Sequence, residues 1–154
     1  MKVLVTGIDG MIGHKIAQSL SENFTILGLT RKKIKPRNLG LNKCQLITHD
    51  FLTDNIFNLL DNVKPDIIIN CAGITIRRGI NDNKDNTILL NSNLPHLLND
   101  WVEINKKKLI HFSSDCVFSG KKGNYFDYST PDANDLYGLS KSRGEVKSDK
   151  TLTI

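Results

Sequence analysis

VTGIDGMIG, residues 5–13, closes a short apolar run and opens an amphipathic one, with Gly7, Gly10 and Gly13 three residues apart. Glycines at a strand-to-helix junction let the backbone turn tightly, let amides approach a diphosphate and let the helix pack closely on the strand. A side chain would obstruct each of those tasks. The first turn of the helix adds partial positive charge for the phosphates. This stretch is therefore expected to cradle a dinucleotide with Gly7, Gly10, Met11, Ile12 and Gly13.

Outward from this turn the chain alternates short β-branched runs with longer amphipathic ones. KVLVTG (2–7) reads as a strand, and MIGHKIAQSLSE (11–22) as a helix with Ile12, Ile16, Ala17 and Leu20 at helical spacing. FTILGLT (24–30) and CQLITHD (44–50) read as the next two strands. Between the second of these and PDIIINCAG (65–73) lies LTDNIFNLLDNV (52–63), a helix that Thr53 or Asp54 would cap. The continuous apolar character of PDIIINCAG marks a strand buried on both faces. A long helix is expected over 84–104, after the turn residues of RRGINDNKDN (77–86). KKLIHFSSD (107–115) is a fifth strand, PDANDLYGLSKSRGEVK (131–147) a helix started by Asp132 or Asn134, and TLTI (151–154) the start of a sixth strand. The alternation predicts an α/β fold: an open, parallel, doubly wound sheet between two helical layers, of the Rossmann-like kind. Residues 1–154 are expected to form one dinucleotide-binding domain.

With 154 residues, 39% apolar and 24% charged, the chain can bury one real core and does not have the composition of a disordered protein. Its longest apolar runs are too short to span a bilayer, and glycine and aspartate interrupt the N-terminal run, so neither a membrane span nor a signal peptide is expected. Cys44, Cys71 and Cys116 lack metal-ligand spacing and read as reduced thiols of a cytoplasmic protein. The net charge of +5 gathers in RKKIKPR (31–37) and NKKKL (105–109). Neither run is interleaved with aromatic residues, so nucleic acid is not an expected partner.

The strand ends carry the chemistry. An NAD site commonly has an acid after the second strand, whereas this chain has Thr30, Arg31, Lys32 and Lys33. Hydroxyl and guanidinium donors suit a 2′-phosphate, so NADP(H) is the expected cofactor, with NAD(H) as the alternative. Asp50 and Phe51 follow the third strand, where a carboxylate and an amide could meet adenine. Cys71, Ala72 and Gly73 follow the fourth strand, small enough for a ribose to approach; Cys71 has no histidine partner nearby and reads as a packing residue. His14 and His49 are lone and read as surface or packed histidines, and no metal site is expected. Ser113 and Ser114 follow the fifth strand. Tyr137 and Lys141 then stand four apart on one helix face. A free tyrosine has a pKa of about 10, and a neighbouring ammonium stabilises its phenolate.

With VTGIDGMIG, INCAGI (69–74), NSNLPHLL (91–98), LIHFSSDCVFSGKKGNY (109–125) and PDANDLYGLSKSRGEV (131–146), the chain resembles the extended short-chain dehydrogenase/reductases, in their dTDP-4-dehydrorhamnose reductase-like branch. That resemblance implies Ser114, Tyr137 and Lys141 at the catalytic positions, with Ser113 as a neighbouring hydroxyl and Asn91 as the helix asparagine supporting the site. It implies reduction of a 4-keto-6-deoxy nucleotide-sugar, a homodimer being one assembly open to it. Two departures stand out: YFDYS (125–129) replaces a more acidic stretch, and relatives run to about twice this length. The portion supplying most of the sugar-nucleotide pocket is expected to be missing, which leaves an epimerase or dehydratase, or a non-catalytic cofactor-binding subunit, as alternatives.

Overall fold

The computed structural model describes residues 1–75 and 83–154. Strands β1 (Lys2–Thr6), β2 (Thr25–Thr30), β3 (Cys44–Thr48), β4 (Ile67–Asn70), β5 (Lys108–His111) and β6 (Thr151–Thr153) form one sheet in the order β3-β2-β1-β4-β5-β6. Every pairing is parallel. The chain first winds outward from β1 to β3, then crosses back to β4 and winds the other way. Between β1 and β4 the loops at the carboxyl ends diverge and leave a crevice. The sheet is the Rossmann-like one expected from the alternation of elements.

Successive side chains of a strand point to opposite faces, so each strand feeds two cores. Leu4, Leu27, Leu29, Ile68 and Leu109 face helices α2 (Ile56–Val63) and α4 (Leu94–Asn105), where Leu60, Leu98, Trp101 and Val102 are buried. Val3, Val5, Ile26 and Ile69 face α1 (Met11–Leu20) and the segment around Leu41. On this second face Ile110, Phe112 and Ile154 border a shallow apolar surface beside α1. Leu152 and Ile154, in and after the edge strand, are 59% and 60% exposed.

Local chemistry explains where the helices begin. The cap of α2 is Asn55, whose side chain accepts from the amides of Phe57 and Asn58 at 2.9 and 3.3 Å, rather than Thr53 or Asp54. Thr53 and Asp54 are used instead in a turn whose amides reach the Asp50 carbonyl. The expected helix over 131–147 is shorter, α5 (Leu136–Arg143), and Asp135 caps it through the Gly138 amide at 3.0 Å. Asp132 is unavailable for that task because it accepts from the Ser119 amide and the Tyr125 hydroxyl.

The long helix expected over 84–104 is present as α3 (Lys84–Ile88), one π turn over Leu89–Asn93 and α4. Of the turn residues expected before it, 77–82 lie outside the described residues. The π turn has a covalent cause. Pro95 has no amide to donate to the Asn91 carbonyl four residues back, and the ladder widens so that the Leu94 amide donates to Leu89. Such single wide turns displace one residue from the regular helical face.

At the first turn, a Cβ on Gly13 would lie 2.3 Å from the Gly7 carbonyl oxygen. That obstacle is backbone and cannot rotate away. Gly13→Ala is expected to destabilise the protein by roughly 1–3 kcal/mol, the usual range for overpacking. A lower urea midpoint at unchanged slope would show it; an unchanged midpoint would mean that the turn has room to spare.

Candidate functional site

The crevice opens where β1 and β4 separate, and the loop after each strand supplies one wall. On the β1 side, Gly7 adopts a φ of +62°, and a Cβ there would meet the Cys71 carbonyl oxygen at 2.9 Å and Ala72 at 3.0 Å. Left-handed backbone and close approach together account for glycine at this position. Gly10 stands at the N-cap of α1 and offers no side-chain cap. The leading amides of the helix are thus left for an outside acceptor, which suits an anionic diphosphate.

The β4 side is held by Thr6. Its hydroxyl donates to Asn70 Oδ1 at 2.6 Å and accepts from the amides of Cys71 and Ala72, both at 3.1 Å. Asn70 passes the chain of bonds to β5, its Nδ2 donating to His111 Nδ1 at 3.1 Å. Burial and the nearby Lys141 charge hold His111 neutral, with its pKa down at about 3. These buried groups form the floor beneath the crevice.

One end of the crevice, toward β2 and β3, is lined by Gly7, Gly10, Arg31, His49, Phe51 and Leu90, with Cys71, Ala72 and Gly73 along the wall. The other end shares that wall and adds Ile12, Asn91, Phe112, Ser113, Tyr137 and Lys141. Two cavities thus meet along residues 71–74, one at a basic side chain and the other at the tyrosine–lysine pair.

Asn91 joins the parts of the second cavity. Its Oδ1 accepts from the Ile74 amide at 2.8 Å, and its Nδ2 donates to the Ile74 carbonyl at 2.9 Å and to Ser140 Oγ at 3.1 Å. The π turn presents Asn91 to the β4 loop and to α5 at once. Ser92 Oγ donates to the Ser140 carbonyl at 2.8 Å, and a Cβ on Gly144 would lie 2.0 Å from the Asn91 carbonyl oxygen. Helix α5, and with it Tyr137 and Lys141, is clamped to the π turn.

Lys141 is 5% exposed, and its Nζ donates to the Phe112 carbonyl at 2.5 Å. Burial lowers its pKa from 10.5 to about 8, opposed by the charge of Glu145. It remains an ammonium at neutral pH. Cys71, in the shared wall, has its thiol pushed up to about 12 by burial, opposed by Lys141. It is a thiol and not a nucleophilic thiolate.

The structure places the side chains of the remaining expected site residues as follows. The Met11 side chain is 86% exposed and lines neither cavity, which leaves only its amide, in the first turn of α1, for the expected contact. The Thr30 hydroxyl donates to the Lys32 carbonyl at 2.8 Å within its own turn. Asp50 Oδ1 accepts from the Leu52 amide at 3.0 Å and does not line the crevice, while Phe51 does. Of the two serines, Ser113 shares the cavity of Tyr137 and donates to Glu145 Oε1 at 2.6 Å. Ser114 caps a short 3₁₀ turn through the Cys116 amide at 3.1 Å and borders an adjoining cavity with Val117, Asp127 and Glu145. His49 and the Thr6–Asn70–His111 floor are additions that the strand-end motifs did not single out.

The RmlD substrate binding domain model matches residues 1–152. The chain belongs to the RmlD substrate-binding domain family. Among curated relatives of this family member, a probable low-salt glycan biosynthesis reductase, Agl14, of Haloferax volcanii is 28% identical over 94% of this chain and 48% of its own length. Methionine adenosyltransferase 2 subunit beta of Danio rerio is 28% identical over 94% of this chain and 42% of its own. The chain thus spans about half the length of these relatives. Among solved structures, a hypothetical dTDP-4-dehydrorhamnose reductase from Sulfolobus tokodaii superposes with a TM-score of 0.85 at 25% identity, over 99% of this chain and 54% of that one. A UDP-glucuronic acid 4-epimerase from Bacillus cereus in complex with NAD gives 0.75 at 27% identity, over 94% and 50%.

The buried lysine carries a pH signature. Between pH 8 and 10.5 the unfolded chain binds a proton at this lysine that the folded chain has lost, so folding stability rises with pH through that window. The burial penalty is present in full below pH 8. Lys141→Met removes it and is expected to stabilise the protein at pH 7 by on the order of 1–3 kcal/mol, part of the gain being offset by the unpaired Phe112 carbonyl. The advantage should shrink as pH rises from 8 toward 10.5. Urea unfolding of both proteins across that range checks the sign; a variant less stable at pH 7 would contradict it.

Proposed function

We propose that the chain is the cofactor-binding and proton-donating part of an NADP(H)-dependent reductase of a 4-keto-6-deoxy sugar nucleotide, acting in the cytoplasm. The observation that carries this reading is the meeting of the two cavities: the glycine turn and Arg31 lead along residues 71–74 to Tyr137 and Lys141. A dinucleotide laid along this path has its diphosphate at the N-terminus of α1, its adenosine toward β2 and β3, and its nicotinamide beside Tyr137. Once bound, it supplies the hydride for the keto carbon.

The protein groups supply the rest. Tyr137 gives its phenolic proton to the carbonyl oxygen as negative charge develops there. Among the described residues its hydroxyl has no hydrogen-bond partner, so it is free to meet a substrate. The Lys141 ammonium binds the nicotinamide ribose and favours the phenolate left behind. Ser114 orients the carbonyl by the family resemblance; Ser113 is the serine that shares the Tyr137 cavity, so each is a candidate for that contact. Arg31 meets the adenosine 2′-phosphate.

Oxidation of NADPH followed at 340 nm with a 4-keto-6-deoxy sugar nucleotide tests the reading. Tyr137→Phe is expected to lower turnover by about 10²-fold or more while leaving NADPH affinity unchanged. Arg31→Ala should narrow the preference for NADPH over NADH by roughly tenfold, the worth of one charge-assisted contact. Ser113→Ala and Ser114→Ala, compared in the same assay, separate the two hydroxyls. Turnover undiminished in Tyr137→Phe would overturn the proton-donor role.

A second reading has its own support. Methionine adenosyltransferase 2 subunit beta, by its name a subunit, matches over 94% of this chain. As a non-catalytic subunit, the chain would bind the dinucleotide without turning over a keto sugar. NADPH binding with no turnover under any substrate would favour this second reading.

A further inference from the structure

Glu145 stands just past α5, one residue beyond the C-cap Gly144. The carbonyl end of a helix carries partial negative charge, so a cation is favoured there and a carboxylate is not. Lysine followed four residues later by glutamate is also the less favourable order for such a pair. The position is nevertheless fixed. The Glu145 amide donates to the Ser142 carbonyl at 3.2 Å, and Gly144 packs so close to the Asn91 carbonyl that the backbone carrying the carboxylate is pinned. The side chain is half-buried, and its Oε1 accepts from Ser113 Oγ at 2.6 Å. Ser113 is itself held in the ladder, its amide donating to the Ile154 carbonyl at 2.6 Å.

The lysine four residues earlier gives this carboxylate its use. Lys141 Nζ donates to the carbonyl of Phe112, the residue before Ser113. A neutral carbonyl takes up one N–H and leaves the buried charge unbalanced. Among the described residues, Glu145 and Cys71 are the acidic groups that favour this ammonium, and Cys71 is a thiol. Groups on the neighbouring elements do not serve: His111 on β5 is neutral, and His96 on α4 bonds with the Arg143 carbonyl. Asp115 and Cys116 in the 3₁₀ turn after β5, and Lys84 and Asp85 in α3, are exposed. On the lysine's own stretch Asp135 caps α5, while Arg143, Lys147 and Asp149 are exposed. Glu145 lines the adjoining cavity and not that of Tyr137, whereas Ser113 lines both. The carboxylate therefore acts on the Tyr137 cavity from behind its wall.

We propose that Glu145 is a positioning residue for the reacting end of the crevice: held by the Ser113 hydroxyl, its carboxylate is the counter-charge of the buried Lys141 ammonium. It acts through Lys141 and takes no proton from a substrate. A carboxylate at a helix end that repels it is then explained by the lysine whose charge it balances. The contact of Lys141 with the nicotinamide ribose rests on the dinucleotide reading given above; its counter-charge does not, and is tested on the ligand-free protein.

Urea unfolding of the ligand-free protein between pH 6 and 10 separates this role from a structural one. In the wild type, stability rises with pH above about 8, where the folded chain gives up a Lys141 proton that the unfolded chain keeps. Without the carboxylate the ammonium is harder to keep, so in Glu145→Gln the rise is expected to begin roughly one pH unit lower. The folding constant of the variant should then be about tenfold smaller than that of the wild type at pH 6, and the gap should close by pH 10. A glutamine still accepts from Ser113, so a purely structural role gives a difference that does not change with pH. In a Lys141→Met background the same substitution should have equal effects at pH 6 and at pH 10. An onset unmoved in Glu145→Gln overturns the role, as does a pH-dependent effect that persists without Lys141. If Glu145→Gln fails to fold alone but folds in the Lys141→Met background, the unbalanced ammonium is the cause and the role stands; failure to fold in both overturns it. The expected pH dependence together with no binding of NADPH or NADH would uphold the counter-charge and overturn the dinucleotide reading alone.

Discussion

The Thr6 hydroxyl sits at the one place where the sheet changes its winding direction. It donates to the Asn70 side chain and accepts from the amides of Cys71 and Ala72, so the end of β1 holds the end of β4 and the first residues beyond it. Backbone amides at the end of a buried parallel strand need partners, and here a hydroxyl from the neighbouring strand supplies them. The wall formed by residues 71–74 is thereby set at contact distance from Gly7, where any side chain would strike the Cys71 carbonyl. Both cavities share that wall, and loosening it would loosen both ends of the crevice together.

A second constraint positions the reacting end. Pro95 deprives the helix of one amide, the helix widens into a π turn, and Asn91 comes to bridge Ile74 and Ser140. Gly144 leaves room for the Asn91 carbonyl, which lets α5 lie close enough to place Lys141 under Phe112. The arrangement opposes stability, because a lysine drawn down to about 8 is harder to bury than an apolar side chain. A cationic amine at a cavity wall serves an anionic or ribose-bearing ligand better than it serves the core.

Order and kind of the elements were legible from residue pattern. Parallel strands buried on both faces are apolar without interruption, as Ile67, Ile68 and Ile69 are, and helices betray themselves by their spacing. Boundaries were less legible. Several residues within a turn can cap a helix, and only the competition for them decides: Asp132 is claimed by Ser119 and Tyr125, which leaves Asp135 to start α5. The same competition separated neighbours at the crevice. Thr30 and Asp50 spend their side chains on their own turns, and Ser113 rather than Ser114 enters the cavity of Tyr137.

By itself the sequence determined whatever covalent geometry and short-range spacing dictate. The three glycines prescribe a tight strand-to-helix turn, the apolar runs prescribe a parallel sheet, and four-residue spacing puts Tyr137 and Lys141 on one face of a helix. The tertiary structure alone decided which polar atoms were left over once the backbone had taken its partners. Hydrogen-bond saturation is a property of the whole fold and not of any segment. For that reason two histidines that carried no signal in the sequence, His49 and His111, are left with a buried Nε2 that has no partner among the described residues, while Asp50 beside the first turns one carboxylate oxygen to its own loop.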